Sequence, residues 1–491
     1  MANQTPATPQ APTQTLSVLD QVIQKGKLAR SDDQRPYAQG LVNEFVQQIL
    51  TAGDTVSNNT IAFISKRIQE IDLLLSQQLD EILHHPNFKQ VEASWRGLYY
   101  LVMNTETGTN LKIRLLNASR KELRDDVEKA IEFDQSVLFK HIYEEEYGTF
   151  GGNPYSALMA DFEFDGSAPD ISLLTKLSNI AAAAHAPMIA AVSPALIDMD
   201  DFTDLGKPRD LAKVFEGTDK IMWHSFRETE DSRYVVLVLP RVLMRLPYGP
   251  KTNPVDGIMY EERVDGTTQK TFVWGNAAYM LAQRITNAFS LYGWTAAIRG
   301  VEGGGLVESL PAYTFKTTDG DIALKCPTQI AITDRREKEL SDLGFIALCH
   351  CKGTDKAAFF GAQTTQKPKK YNTPQANANS STSARIPYLL AASRFAHYIK
   401  VIMRDKIGSF MTKDNVQKYL QTWLANYVLL NDDAGQSLKA RYPLREGRVD
   451  VFDVPGEPGK FRATVFLRPH FQLEELTASL RLVAELPPPP K

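Results

Sequence analysis

Cysteine is scarce: Cys326, Cys349 and Cys351 are the only three in 491 residues, an odd number that implies no paired disulfide framework and suits a reducing cytoplasm. A long apolar run is also missing. The nearest approach, residues 180–199, is mostly Ala and is broken by His185, Pro187, Ser193 and Pro194, far short of the uninterrupted ~20 residues of a membrane helix. Residues 1–15 carry neither a basic start nor an apolar stretch, so a secretory signal is not expected. Charge of one sign is lacking too, since 55 Lys plus Arg against 58 Asp plus Glu leave −3. That supplies no bulk field for a polyanion, and nucleic-acid binding is not expected.

Recognisable chemistry is equally thin. Gly26-Lys27, Gly206-Lys207 and Gly459-Lys460 continue into Leu28, Pro208 and Phe461, so none is a phosphate loop. Gly300 to Gly305 could bring backbone close to an anion but lacks the dinucleotide spacing and reads as a tight turn, as does Gly151-Gly152-Asn153-Pro154. Cys349-His350-Cys351 places two thiols on one side of a strand and the imidazole on the other, with no second ligand pair at finger spacing, so core thiols are expected. His84 and His85 precede Pro86 at a helix end, where capping suits them. Asp198, Asp200, Asp201 and Asp204 lack the central Gly and terminal Glu of a calcium loop and read as a solvated acidic turn. No Gly-x-Ser-x-Gly elbow occurs. The alternating charges of Arg227 to Arg233 suit an ion-pair network at a packed junction. No metal, no cofactor and no catalytic residue is assigned.

What is present is a large globular chain. Its length is about three times a ~150-residue domain, so two to four domains are expected. Hydrophobic residues at 43%, with 29 Gly and 27 Pro, exclude wholesale disorder and a fibrous repeat. Leu16, Leu19 and Ile23 recur at helical spacing behind Ser17, with Asp20 placed for a capping contact and Gly26 as the stop. Such a short helix is marginal until its stripe docks, on its own domain or on a partner. Leu41, Val42, Phe45, Val46, Ile49 and Leu50, then Ile61, Ile64, Ile68, Ile71, Leu75 and Leu79, predict a helical hairpin about Gly53. Those faces suit a core, although two long helices could equally embrace a third.

From Val91 helices and strands alternate, which predicts a mixed α/β body. Trp95, Leu98, Tyr99 and Val102 share a helix; Leu111, Ile113 and Leu115 alternate with Lys112 and Arg114 as a strand; Ser119 with Glu122 opens another helix by capping-box spacing. Buried strands are predicted at 187–192, 234–239 and 344–350. Residues 367–383 read as an exposed connector. Helical patterns at 387–407 and 415–430 precede a β-rich end, in which Val449, Val451 and the run 461–467 flank Pro455 to Gly459, and Leu480, Leu482 and Val483 form a last strand. Two or three short strands do not make a stable sheet alone, so their edges invite another strand.

Longer passages carry a resemblance. They are Tyr143 to Gly148 leading into Phe150 to Tyr155; Ser225 to Glu228 with Glu230 to Tyr234; Ala297 to Gly305; Thr333 to Glu337 with Leu343 to Phe345; Arg394 to Tyr398; and Leu467 to Gln472. With them the chain resembles the large subunit of the type VI secretion contractile sheath, the TssC/VipB family, from about Trp95 to the end, and more loosely before it. His224 departs from the basic residue expected there.

The resemblance implies a structural protein and not an enzyme, with a phage tail sheath-like α/β fold. It implies heterodimers with a small TssB/VipA-like subunit that stack helically, with neighbouring sheath protomers, around an inner tube of hexameric Hcp-like rings. Contraction would drive the tube and its effectors outward. A baseplate would join the sheath to the inner-membrane complex in the bacterial cytoplasm. A ClpV-like AAA+ unfoldase would recognise a short N-terminal helix, mapped here onto Leu16, Leu19, Asp20 and Ile23. An intermolecular sheet is expected at Val449, Val451, Phe461, Val465, Leu480 and Leu482. The expected division is a flexible tail with its helix at 1–30, a helical hairpin at 31–90, a central body with the outer domain at 91–380, and a tail-sheath domain at 381–491. Two other readings are a nucleotide- or anion-binding enzyme using the Glu302 to Gly305 turn, and a sheath from another phage-like injection device.

Overall fold

Ser17 starts the first helix, its Oγ accepting the Asp20 amide at 3.1 Å. In the computed structural model, which describes residues 17–29, 31–52, 60–409, 411–457 and 459–472, this is α1, Val18–Lys25, and the Gly26 amide closes it onto the Val22 carbonyl at 2.8 Å. Leu16, Leu480, Leu482 and the strand expected at 479–483 lie outside the described residues. The chain divides into two units, 1–77 and 78–491. In the first, α1 packs on α2 (Arg35–Ala52) and buries Ile23, and α3 (Thr60–Leu83) begins, its last residues belonging to the second unit. Leu41, Val46, Leu50, Ile64, Ile68 and Ile71 stay exposed, so much of the apolar stripe on these two helices is uncovered by the described residues.

The second unit continues with α4 (Pro86–Met103), α5 (Arg120–Lys129) and the short α6 (Val137–Phe139), which runs into a π-helical turn, Lys140–Gly148. Strand β1 (Leu158–Phe164), α7 (Ala168–Ala183) and β2 (Met188–Val192) follow, then α8 (Leu211–Val214), α9 (Ile221–Glu228), β3 (Val235–Leu239), β4 (Val242–Leu243) and β5 (Trp274–Gly275). Next come α10 (Ala278–Tyr292), β6 (Leu306–Val307), β7 (Tyr313–Lys316), β8 (Ile322–Lys325), α11 (Asp334–Asp342), β9 (Phe345–His350) and β10 (Ala357–Phe359). The last elements are α12 (Pro374–Ser383), α13 (Ile386–Asp405), α14 (Lys413–Ala425), α15 (Gln436–Arg441), β11 (Leu444–Asp453) and β12 (Phe461–Pro469).

A six-stranded sheet in the order β1-β2-β3-β9-β10-β6 organises the body. Its first four strands are parallel and β10 runs antiparallel to both neighbours. Helices cover both faces, and the period of two along each strand sends alternate side chains into different cores. Met188, Ala190, Val235, Leu237, Phe345 and Ala347 join one core with Trp223 of α9 and Leu174 of α7. Ile189, Val236, Val238, Ile346 and Leu348 join the other with Met280 and Leu281 of α10. A third core gathers Trp294, Phe395, Leu420, Leu424, Val449 and Val451 under the C-terminal strands.

Several expectations are corrected. Residues 111–115 form no strand. Instead Lys112 reaches Asn153 Oδ1 at 3.3 Å and Arg114 grips Glu146, so the alternating cations hold a loop by side chains rather than a ladder. Residues 367–383 are not all connector, because Thr373 accepts the Ala376 amide and Pro374 begins α12. This helix is started by its cap and its proline, without the apolar stripe that periodicity would detect. The pattern at 415–430 stops as a helix at Ala425. The histidines before Pro86 do not cap by side chain as expected: His85, at the N-cap of α4, makes no capping bond, and His84 Nε2 lies 3.0 Å from Glu262, which also receives Arg245 at 2.6 Å.

Candidate assembly interface

The C-terminal strands are built on aromatics. Trp294 stacks on Phe395 of α13 with centroids 4.3 Å apart, and Trp423 and Tyr427 meet Phe395 edge-on. Val416, Leu420 and Leu424 recur on one face of α14 and are buried against β11, where Val449 and Val451 point inward. Gly447 allows the approach: a Cβ there would lie 2.6 Å from Leu424 Cδ2. The strands β11 and β12 form a separate two-stranded antiparallel sheet, with Val449 opposite Val465 and Asp453 opposite Phe461.

The two outer edges of this hairpin differ. On β11, Gln421 of α14 accepts the Val449 amide at 3.0 Å through Oε1 and donates to the Gly447 carbonyl at 2.9 Å through Nε2, while Gln417 accepts the Val451 amide at 3.3 Å. These backbone groups point away from β12, so Val449 and Val465 form a pair without ladder hydrogen bonds. It follows that Ala463, Val465 and Leu467 also direct their amides outward, along the other edge. Among the described residues no strand pairs with that edge. The outcome is one edge sealed by two glutamines and one left open, each open amide costing free energy if buried without a partner. Sequence reasoning missed Gln417 and Gln421; their i, i+4 spacing was the available signal, but only the packing of α14 on β11 shows what they cap.

The other site residues sit in the first unit. Leu19 is half-buried, Ile23 is buried and Asp20 accepts Gln39 Nε2 of α2 at 2.7 Å. Hydrogen bonds from Ser17 and Gln39 hold the Asp20 carboxyl below its usual range. Val18 and Val22 face outward. Val449, Val451, Phe461 and Val465 are thus brought together on the hairpin, while Leu19, Asp20 and Ile23 are brought together on α1.

The motif passages hold the body together. Glu146 accepts Arg114 and the Asn153 amide, the latter at 2.7 Å; burial opposes its ionisation, yet these bonds keep its carboxyl below the ordinary range. Arg227 is buried and donates to the Thr365 carbonyl at 2.8 Å and the Asp342 carbonyl at 3.3 Å, and burial pushes it down to about 10. The expected ion pairing therefore concerns the rim, Glu230 with Lys369 at 3.1 Å, and not Arg227. In the glycine turn the Gly305 amide donates to the Gly300 carbonyl at 2.8 Å, and Cβ atoms at Gly303, Gly304 and Gly305 would strike backbone. This turn is packed against itself rather than opened as a cradle.

Sequence comparison decides the family. The EvpB/VC_A0108 tail sheath N-terminal domain model matches residues 65–366, and the tail sheath gpW/gp25-like domain model matches 375–486. The curated type VI secretion system sheath protein TssC1 of Pseudomonas aeruginosa is 49% identical over 463 residues, covering 93% of each chain. The chain belongs to the VipB family of type VI secretion sheath proteins. A VipB protein is a structural subunit of a contractile sheath, polymerising with neighbouring sheath subunits. Among solved structures, the contracted sheath of an extracellular contractile injection system, PVC, aligns at TM-score 0.36 and 9% identity over 63% of this chain and 68% of that one. The contracted helical sheath of the anti-feeding prophage aligns at TM-score 0.29 and 12% identity over 71% and 82%. Among the described residues, no helix of this VipB chain is long and apolar enough to cross a membrane.

Proposed function

We propose that this chain is the large sheath subunit that pairs with a TssB/VipA-like small subunit, and that the heterodimers stack helically around an Hcp-like inner tube and contract to propel it. The open edge of β12 carries the reading. A strand donated by a neighbouring protomer satisfies Ala463, Val465 and Leu467 through main-chain hydrogen bonds, which give affinity without a large preformed pocket. Contacts repeated around a rotation that does not close produce an open helical filament. The uncovered stripes of α2 and α3 give the small subunit a surface to embrace. The proposed domains are a flexible tail with its helix to residue 30, a helical hairpin from 31 to 90, a central body with the outer domain from 91 to 380 and a tail-sheath domain from 381. Such a sheath is anchored through a baseplate in the bacterial cytoplasm, does no catalysis, and is recycled by a ClpV-like unfoldase that takes hold of α1.

Val465→Pro tests the carrying observation. It removes an outward amide and leaves the ladder bonds to β11 intact. Electron microscopy of the wild-type chain co-expressed with the small subunit is expected to show hollow, cogwheel-edged tubules, and the variant soluble heterodimers without them. Normal tubules from the variant would overturn the strand-donation reading.

A further inference from the structure

Strand β1 ends the six-stranded sheet, and only its inner edge is paired, with β2. The Leu158 amide donates to the Pro187 carbonyl at 2.9 Å, and the Phe164 carbonyl accepts the Ser193 amide at 3.0 Å. Successive residues of a strand turn their backbone groups to opposite edges, so Met159 and Glu163 present theirs on the outer side. Arg120 of α5 is consistent with this, its Nη1 donating to the Glu163 carbonyl at 3.2 Å. Among the described residues no backbone hydrogen bond is made at that edge. Such an edge is a template for another strand.

Residues 111–117 run beside the edge without joining it. Ile113 and Met159 pack on the same small core of Leu101, Tyr279 and Ala282. Arg114 Nη1 lies 3.3 Å from Tyr155 Oη, just before β1, and Arg120 reaches Glu163 near its end, so the segment and the strand share a direction. Side chains make all these contacts. The backbone–backbone hydrogen bond within 111–117 is local, from the Gly108 amide to the Leu111 carbonyl at 2.9 Å. Leu115 and Leu116 are exposed. One turn after Arg120 on α5, Arg124 is half-buried without an ion pair, and the buried Nε atoms of both arginines have no hydrogen-bond partner among the described residues.

We propose that a β-strand of the small sheath subunit pairs with the outer edge of β1, setting apolar side chains against Leu115 and Leu116 and a carboxylate against Arg124. The inference rests on the pairing with a small subunit proposed above. Charge separates this occupant from a second copy of this chain. Strand β12 of such a copy carries Arg462 and Arg468, β7 carries Lys316 and β8 carries Lys325, and none of the three contains an acid. Each would set cations against Arg120 and Arg124. The acids of β11 lie on the strand sealed by Gln417 and Gln421. Those of β1 itself are already held, Asp161 by Asn276 at 3.3 Å and Glu163 by Arg241 at 2.6 Å. An acidic, apolar strand from a different chain meets every demand: its main chain answers the Met159 and Glu163 backbone, and its side chains answer the leucines and Arg124.

Hydrogen exchange on the full chain, alone and as the co-purified heterodimer, tests the edge. The Met159 and Glu163 amides are expected to exchange about tenfold more slowly in the heterodimer. Arg124→Glu should raise the Kd for the small subunit about tenfold and leave the thermal midpoint of the chain unchanged. p-Benzoylphenylalanine in place of Leu116 should crosslink to the small subunit. Failure of the wild-type chains to co-purify would remove the pairing reading and this inference with it. If the heterodimer forms but exchange at Met159 and Glu163 is unmoved, or Leu116 crosslinks to a second copy of this chain or to nothing, the pairing stands and its placement on β1 is overturned. Unchanged affinity in Arg124→Glu would overturn the carboxylate.

Discussion

His397 of α13 is 2% exposed, its Nε2 donates to the Ala184 carbonyl at 2.8 Å, and its Nδ1 has no partner. Around it stand His185 and Tyr147, with Tyr234 behind His185, and the cations of Lys400 and Arg394 disfavour a proton on it. Burial is the main reason that His397 is pushed down to about 4 from 6.5. The folded state therefore takes the proton later than the unfolded chain. The stabilising contribution is complete above the unfolded value and is lost as pH falls from about 6.5 to 4, with an upper bound of about 3 kcal/mol. A fall in the thermal midpoint between pH 7 and 5 is expected, and a shallower fall in His397→Gln. Identical pH slopes by calorimetry would remove His397 as its source.

Among the elements, α1 depends most on what it touches. Eight residues do not hold a helix in water, so burial of Ile23 and the Ser17 and Asp20 contacts maintain it. Leu19→Asp with Ile23→Asp is expected to abolish unfoldase-driven sheath disassembly and leave tubule formation intact; disassembly at the wild-type rate, followed by light scattering, would count against α1 as the recognition helix. The sealed edge of β11 makes a separate prediction. Gln417→Ala with Gln421→Ala strips the Val449 and Val451 amides of acceptors, at about 1 kcal/mol for each lost bond. The heterodimer should then self-associate more strongly, read by sedimentation, because the β11 edge of the hairpin loses its seal as well. Helix α14 was legible as an apolar repeat, and the hairpin as two alternating runs about Pro455 to Gly459. The glutamine seal was not, since a polar residue on a helix is ordinarily solvated.

At the scale of the molecule, the six-stranded sheet is covered on both faces, whereas among the described residues no strand pairs with the β12 edge of the β11–β12 hairpin. Hydrogen exchange should separate them. Amides of 188–192 and 235–239 are expected to be slowest in free and assembled protein alike, while those of Ala463, Val465 and Leu467 should gain protection only on assembly. Unchanged protection at β12 would show that its edge is not where neighbours join. The sequence by itself determined strands at 187–192, 234–239 and 344–350, each within one residue of the strand observed, the capped starts at Ser17 and Ser119 and the family, because local periodicity, capping chemistry and long ordered motifs are written in neighbouring residues. Tertiary structure alone decided that 111–115 is gripped rather than paired, that Arg227 answers two carbonyls, and which hairpin edge the glutamines seal. Those depend on residues tens to hundreds of positions apart, brought together by packing that no local pattern encodes.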